Sequence, residues 1–118
     1  NKMYDDNNIF AKILRNEIPC KKFYEDEFSL FIYDIAPQAK IHILGIPKIK
    51  CIDLTDFITK ADDNLISSFF KSLNLVIEKL SIKADGYRVI SNSGNDGGQE
   101  VPHFHIHILA GEKIGSLR

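Results

Sequence analysis

The sequence has few cysteines and no segment that would carry the chain into a membrane. Cys20 and Cys51 are its two cysteines, and they belong to no cluster. No apolar run approaches the roughly 20 residues that span a bilayer, and the polar stretch at residues 1–6 lacks the apolar segment of a signal peptide. We therefore expect a cytoplasmic protein without a membrane partner, in which both thiols are reduced and structural.

The chain also lacks an excess of charge of either sign. Lys and Arg number 15 against 16 Asp and Glu, which gives a formal net charge of -1. Proteins that bind nucleic acid usually carry a basic surface, so this balance argues against nucleic acid as a partner. What is present is ordinary for a globular protein, with 44% hydrophobic and 26% charged residues.

No internal repeat, low-complexity tract or linker divides the 118 residues, so we predict a single domain over residues 1–118. Helical spacing of apolar residues covers residues 9–16, ended by Pro19, and more clearly residues 63–81, whereas residues 51–61 show only a weak pattern, that of a short helical turn capped near Thr55. Strands are predicted at residues 22–25, 29–33, 40–47, 87–91 and 103–110. The predicted class is α+β, with a mostly antiparallel sheet covered by the 63–81 helix.

The last predicted strand carries three of the four histidines of the chain. His103, His105 and His107 alternate with apolar residues, which is the period of a strand with one polar and one apolar face. Val or Thr would stabilise a half-buried strand better, so three imidazoles on one face indicate a functional reason. The fourth histidine, His42, lies on the strand predicted at residues 40–47. We interpret the row of histidines as the active site.

Three chemical interpretations of the row are open. Neighbouring members lie about 6.6 to 6.8 Å apart along a strand, whereas zinc needs its nitrogens about 2.0 to 2.1 Å away, so three ligands hardly converge from one straight strand. Two of them could bind zinc with a distant ligand, but no Cys or Glu stands out as that ligand. The central imidazole could instead be a nucleophile toward phosphorus, with its neighbours tuning tautomer and protons. A solvated row without a chemical role is the third interpretation. We expect no metal and no cofactor.

The loop before the row favours a phosphate ligand. Gly94, Gly97 and Gly98 allow backbone N–H groups to turn toward an anion, and Asn92 and Gln99 add side-chain donors. Glycine-rich loops are commonly plain turns. Directly before a row of histidines, the loop indicates phosphate chemistry.

Together these residues resemble the histidine-triad (HIT) superfamily, and within it the Hint branch of purine nucleoside phosphoramidases. The resemblance covers about residues 8–111. It rests on the alternating histidines of residues 103–109 and on the segments 9–13, 17–19, 34–38, 46–48, 86–88 and 96–101. It implies a HIT-like fold, with a five-stranded antiparallel sheet and two main helices, and a homodimer whose protomers join their sheets.

The resemblance also implies hydrolysis of the P–N bond of purine nucleoside 5′-phosphoramidates, AMP-like substrates, through a covalent nucleotidyl-histidine. His105 would be the nucleophile, while His103 and His107 would orient it, hold the α-phosphate and assist proton transfer. His42 would be an additional site histidine, and Asp34 would bind the ribose. The purine slot would comprise Ile9, Phe10, Ile13, Ile32 and Ile35, and the phosphate would meet Asn92, Gly98, Gln99 and the backbone near Glu100 and Val101.

Some residues depart from the family pattern. Pro102 stands where an aromatic residue is common and removes one N–H at the mouth of the strand, and Ala110 replaces a usual glycine. These departures leave the leaving group open. Two other activities also stay open: a dinucleoside polyphosphate hydrolase of the Fhit-like branch, disfavoured by residues 97–101, and a nucleotide-binding interaction module.

Overall fold

A computed structural model of the chain describes residues 3–116. It contains three helices and five strands. In chain order these are α1 (Ile9–Leu14), β1 (Lys22–Glu25), β2 (Ser29–Tyr33), β3 (Ile41–Pro47), α2 (Leu54–Lys60), α3 (Asp63–Leu80), β4 (Arg88–Ile90) and β5 (Ile106–Ala110). Among the described residues no helix combines the length and the apolar character that crossing a membrane requires.

The five strands form one antiparallel sheet in the order β1-β2-β3-β5-β4. The pairing of β3 with β5 places Leu44 opposite His107 and Gly45 opposite Ile106. Because side chains alternate across a strand, His42 and Leu44 point to the same face of the sheet as His107. The predicted α+β class with a five-stranded antiparallel sheet is confirmed.

Helix α3 covers one face of this sheet. The Asp62 side chain caps its first turn by accepting the N–H of Leu65 at 2.8 Å, and Ser81 ends it in the left-handed conformation, φ 57°. Its apolar stripe includes the fully buried Phe69, whose ring stacks on Phe31 of β2. Truncating a buried phenylalanine destabilises a protein by about 3–5 kcal/mol, so this layer supplies much of the stability of the fold.

Helix α1 covers the opposite face, where a second apolar cluster lies. The Asn8 side chain caps the helix by accepting the N–H of Ala11 at 2.9 Å. The helix buries Phe10 and Ile13 against the sheet. The cluster on this face comprises Phe10, Ile13, Leu30, Ile32, Leu44 and Ile46. The predicted histidine site therefore lies on the face covered by the shorter helix.

The structure differs from the sequence prediction at several element ends: α3 is one residue shorter than predicted, β4 is one residue shorter at each end, and three other ends also differ. Helix α1 stops at Leu14 and β3 starts at Ile41, each shorter than predicted. The last strand begins at Ile106, not at residue 103, because the Phe104 N–H binds the Cys51 carbonyl at 2.9 Å instead of continuing the ladder with β3. The weak pattern at residues 51–61 is a true helix, α2, capped by Asp53.

Candidate active site

A cavity of about 240 Å³ opens on the face covered by α1. Most of the predicted site residues line it. From that set the wall includes Phe10, Asp34, His42, Asn92, Gly98, Glu100, Val101, His105 and His107. Ala36, Gln38 and Leu44 also line the cavity and were not predicted, although the nearness of the first two to Asp34 could have suggested them. The fold thus brings four separate stretches of sequence to one cavity.

The ring of His105 is held by the backbone of its own motif. Its Nδ1 lies 2.7 Å from the carbonyl oxygen of His103, and since a carbonyl only accepts, Nδ1 carries the hydrogen. Burial lowers the pKa of His105, although that hydrogen bond partly opposes the shift, so the ring is neutral near pH 7. A neutral ring with hydrogen on Nδ1 presents its lone pair on Nε2.

The Nε2 atom of His105 is open to the cavity. Within residues 3–116 it has no hydrogen-bond partner, whereas every buried side-chain nitrogen and oxygen there has one. The Phe10 ring packs edge-on against the imidazole, with 4.8 Å between ring centroids, and limits its rotation. A fixed, neutral imidazole with an exposed lone pair is suited to nucleophilic attack.

A chain of hydrogen bonds fixes the protons on the other two cavity histidines. The backbone N–H of Gln38 donates to Nδ1 of His42 at 3.0 Å, so in a neutral ring the hydrogen of His42 is on Nε2. That Nε2 lies 2.9 Å from Nδ1 of His107 and donates to it. His107 therefore carries its own hydrogen on Nε2, and its ring centroid lies 5.1 Å from that of His105. The site therefore places the Nε2–H of His107 near the lone pair on Nε2 of His105.

Burial keeps this pair of histidines neutral. It is the main cause that lowers the pKa of His42, against a smaller opposing effect of Asp34. It lowers the pKa of His107 to about 4, with the neighbouring His105 and His42 acting in the same direction. The proton positions derived above therefore hold at neutral pH.

Asp34 supports the pair from the end of β2. One carboxylate oxygen accepts the N–H of Ala36 at 2.8 Å and forms a turn. The other lies 3.4 Å from Nε2 of His42. Side-chain exposure at Asp34 is 19%, so the carboxylate still reaches the cavity. Its predicted contact with ribose stays a prediction, since the carboxylate also has this local role.

Asp34, His42 and His107 are also a set of residues that could hold a metal ion. Among the described residues their ligand atoms all lie within 4.8 Å of one another. Aspartate and imidazole are common zinc ligands at about 2.0 to 2.2 Å. From the sequence, two row histidines could bind a metal only with a distant ligand, for which no Cys or Glu stood out; this cluster has one row histidine and draws its members from three segments. A metal there would displace the proton shared by the two rings.

His103 does not join the row, so the prediction of three imidazoles on one face is wrong. Its ring is fully buried outside the cavity, with Nε2 3.1 Å from the Pro47 carbonyl and Nδ1 2.6 Å from the Tyr4 hydroxyl. With both nitrogens engaged, the ring cannot hold the α-phosphate directly. Burial lowers its pKa to about 4. What His103 gives the site is the carbonyl oxygen that orients His105.

The predicted purine slot is only partly assembled. Phe10 lines the cavity, whereas Ile13 and Ile32 are buried in the α1 cluster and do not reach it. Ile9 and Ile35 lie outside the cavity wall and are 44% and 98% exposed. An apolar side chain that is almost fully exposed beside Asp34 is a free surface on which a flat ring could lie.

The glycine loop closes on itself: the Gly98 N–H donates to the Asn95 carbonyl and the Gln99 N–H to the Gly94 carbonyl, both at 3.1 Å, so these N–H groups do not turn toward an anion as predicted. Gly98 has φ 75°, a conformation that favours glycine, and a Cβ on Gly97 would lie 2.3 Å from the Ser93 carbonyl. Gln99 does not face the cavity. Its amide nitrogen donates to the Ile52 and Val101 carbonyls at 2.6 and 3.0 Å, and its oxygen accepts the Gly94 N–H at 2.9 Å. Gln99 braces the loop instead of binding phosphate.

Comparison with known proteins agrees with this geometry. The sequence model of the HIT domain family matches residues 15–114. The chain belongs to the HIT family. An uncharacterized HIT-like protein of Azospirillum brasilense is 47% identical over 116 residues, which cover 98% of this chain and 95% of that protein.

Two further HIT relatives extend the comparison. The purine nucleoside phosphoramidase of Escherichia coli K12 is 37% identical over 112 residues, covering 95% of this chain and 93% of that protein. The solved structure of a histidine triad protein from Clostridium difficile superimposes with a TM-score of 0.85 at 39% identity, over 98% and 100% of the two chains. HIT membership and the fold are therefore both established for this chain.

Proposed function

We propose that this HIT protein hydrolyses the P–N bond of purine nucleoside 5′-phosphoramidates through a nucleotidyl adduct on His105. The observation that carries the proposal is the exposed lone pair on Nε2 of His105 beside the N–H of His107 in one cavity. The similarity to the Escherichia coli phosphoramidase supports the choice of reaction.

In the proposed first step, Nε2 of His105 attacks the α-phosphorus and the P–N bond breaks. The departing amine needs a proton, which His107 delivers from Nε2 while its Nδ1 stays hydrogen-bonded to Nε2 of His42. The two histidines are then one proton short until the attacking water restores it in the second step. The His103 carbonyl accepts the Nδ1–H of the nucleophile and stabilises the positive charge that develops on that ring. In the second step water displaces the nucleotide and returns a proton to the relay.

Recognition of the nucleotide is proposed for the remaining wall. A carboxylate offers about four lone-pair sites, so Asp34 can accept ribose hydroxyls while it keeps its bond to Ala36. The backbone near Glu100 and Val101 and the Asn92 side chain would meet the phosphate. Phe10 and the exposed Ile35 would contact the purine.

The decisive test compares two substrates and looks for the adduct. We expect adenosine 5′-phosphoramidate to be turned over much faster than a diadenosine polyphosphate. Mass spectrometry of acid-free quenched protein should show one added nucleotidyl group on the peptide that contains His105. Preference for the dinucleotide would favour a Fhit-like hydrolase, and binding without turnover of either would favour an interaction module.

We also propose a homodimer that joins the sheets of two protomers. Strand β4 is an edge of the sheet, and Tyr87, just before it, and Val89, within it, are 43% and 40% exposed. An uncovered edge strand with apolar side chains tends to pair with another strand. Light scattering at micromolar concentration should give twice the mass of the chain, and a monomer mass would contradict this proposal.

A further inference from the structure

A second cavity, of about 290 Å³, lies on the other side of His103. It shares no lining residue with the active-site cavity. Helix α1 separates the two, because Phe10 faces the active site while Ala11 and Leu14 face the second cavity. At this volume it is at the lower end of cavities that bind small molecules.

The wall of the second cavity is partly apolar and partly cationic. Ala11, Leu14 and Ile49 supply the apolar part, and Arg15 and Lys50 supply cations together with Lys48. Among residues 3–116 no acidic side chain lines the cavity. A ligand that satisfies this wall has a small apolar body and a single negative charge.

The three cations do have acidic partners, which all lie outside the cavity wall. Arg15 pairs with Glu17, Lys48 with Glu25 and Lys50 with Asp6, at 2.6 to 2.8 Å. Exposed pairs of this kind contribute little to stability. The cations can therefore turn to an anion in the cavity without a large loss.

The polar residues of the wall, Tyr4 and His103, are connected by hydrogen bonds to His105. Nε2 of His103 donates to the Pro47 carbonyl, so its Nδ1 accepts the hydrogen of the Tyr4 hydroxyl at 2.6 Å. The carbonyl of the same His103 holds His105 at 2.7 Å. Both Tyr4 and His103 line the second cavity. A ligand that changes the Tyr4 hydrogen bond therefore acts on His103, the residue whose carbonyl orients the His105 ring.

We propose that the second cavity binds a small amphipathic carboxylate and that its binding slows turnover at His105. A carboxylate accepts a stronger hydrogen bond than a neutral imidazole does, so it draws the Tyr4 hydroxyl away from His103. The ring of His103 then loses one of its two restraints, and the carbonyl that orients His105 is held less firmly. The binding site stands on its own geometry, whereas the effect on turnover rests on the function proposed above.

Benzoate is the probe for binding, with neutral benzamide as its matched control. We expect the amide NMR signals of Leu14 and Ile49 to shift with a Kd on the order of 1 mM for benzoate, a value typical of so small a ligand. Benzamide should bind at least about tenfold more weakly, because it lacks the charge. Equal binding of the two, or shifts confined to Asn92 and His107 in the active-site cavity, would overturn the site.

A double variant tests the cations. Arg15→Gln with Lys50→Gln should weaken benzoate about tenfold, since both side chains are partly exposed and charge-assisted bonds there are worth less than buried ones. Lys71→Gln removes a charge from the exposed side of α3, outside both cavities, and should change nothing. Unchanged benzoate affinity in the double variant would contradict the proposed charge recognition.

Turnover of adenosine 5′-phosphoramidate tests the link to His105. Saturating benzoate should lower kcat about 2- to 10-fold and leave KM unchanged, which is the range expected for one lost neutral hydrogen bond. Tyr4→Phe should lower kcat by a similar factor and remove the response of kcat to benzoate while benzoate still binds. A Tyr4→Phe protein that benzoate inhibits like wild type would refute the link. Absence of turnover in wild type would refute the proposed function instead, and the binding result would stand.

Discussion

The two ends of the histidine motif have the same alternating sequence and different surroundings. At one end the ring of His103 is fully buried, and both of its nitrogens bind groups of the protein. At the other end the His107 ring belongs to strand β5, and one of its nitrogens faces a cavity. Alternating residues share one face only where the backbone is a strand. Strand β5 begins at Ile106, so His107 is in the strand and His103 is not. One end therefore supports the site from outside the cavity, and the other lines the cavity.

The largest expected effect concerns the residue between these ends. His105→Asn removes the lone pair that attacks phosphorus, and we expect kcat to fall by about 10⁴-fold or more, as for other covalent nucleophiles. An asparagine amide can still donate to the His103 carbonyl, so urea unfolding should show nearly unchanged stability. Wild-type activity in this variant would exclude the covalent mechanism.

Matched variants at the two ends should separate activity from stability. His107→Asn removes the proton donor, and kcat should fall roughly 10²- to 10⁴-fold with a small change in the free energy of unfolding. His103→Asn breaks one buried and one part-buried hydrogen bond of the ring, and the free energy of unfolding should fall by about 2–4 kcal/mol with a far smaller loss of kcat. If His103→Asn stays stable and loses as much turnover as His107→Asn, the ring of His103 acts directly in catalysis.

The contrast between the ends also explains what could be predicted from the sequence. Helical spacing predicted α3, because apolar spacing follows directly from burial of one face, and all five strands were predicted, the last with a start three residues too early. The departure of His103 depends on Tyr4 and Pro47, which are distant in sequence and become neighbours only in the fold. No local pattern carries such contacts.

Two other side chains illustrate the same limit. The Gln99 side-chain amide is a group that could donate a hydrogen bond to phosphate, but it donates to the Ile52 carbonyl instead. Ile52 lies just before α2, in a segment whose apolar pattern is too weak to show what it packs against. Gly45 interrupts the apolar run of β3 because a Cβ there would lie 2.5 Å from the Phe31 ring. Both features require knowledge of which segments pack together.

A smaller effect is expected at Asp34, where a support role and a binding role compete. If the carboxylate binds ribose, removing the substrate 2′-hydroxyl should lower kcat/KM roughly 10- to 100-fold, and Asp34→Asn should lower it by a similar factor. Combining the two should lower it much less than the product, because both delete one interaction. If the two effects on kcat/KM multiply fully, or if wild type uses ribo- and deoxy-substrates equally, Asp34 does not bind ribose and acts only through its contacts with Ala36 and His42.

The smallest expected effect is the pH dependence of stability that His103 causes. Its pKa in the folded protein is about 4, below the value of about 6.5 in an unfolded chain. Between these values the unfolded state binds more protons, so stability is complete above about pH 6.5 and falls as the pH is lowered toward 4. From pH 7.5 to 5.5 this one residue should lower the free energy of unfolding by roughly 1.3 kcal/mol. Urea unfolding at both pH values should show that the wild type loses this much more stability than His103→Asn, and equal losses would mean that burial does not hold the His103 ring neutral.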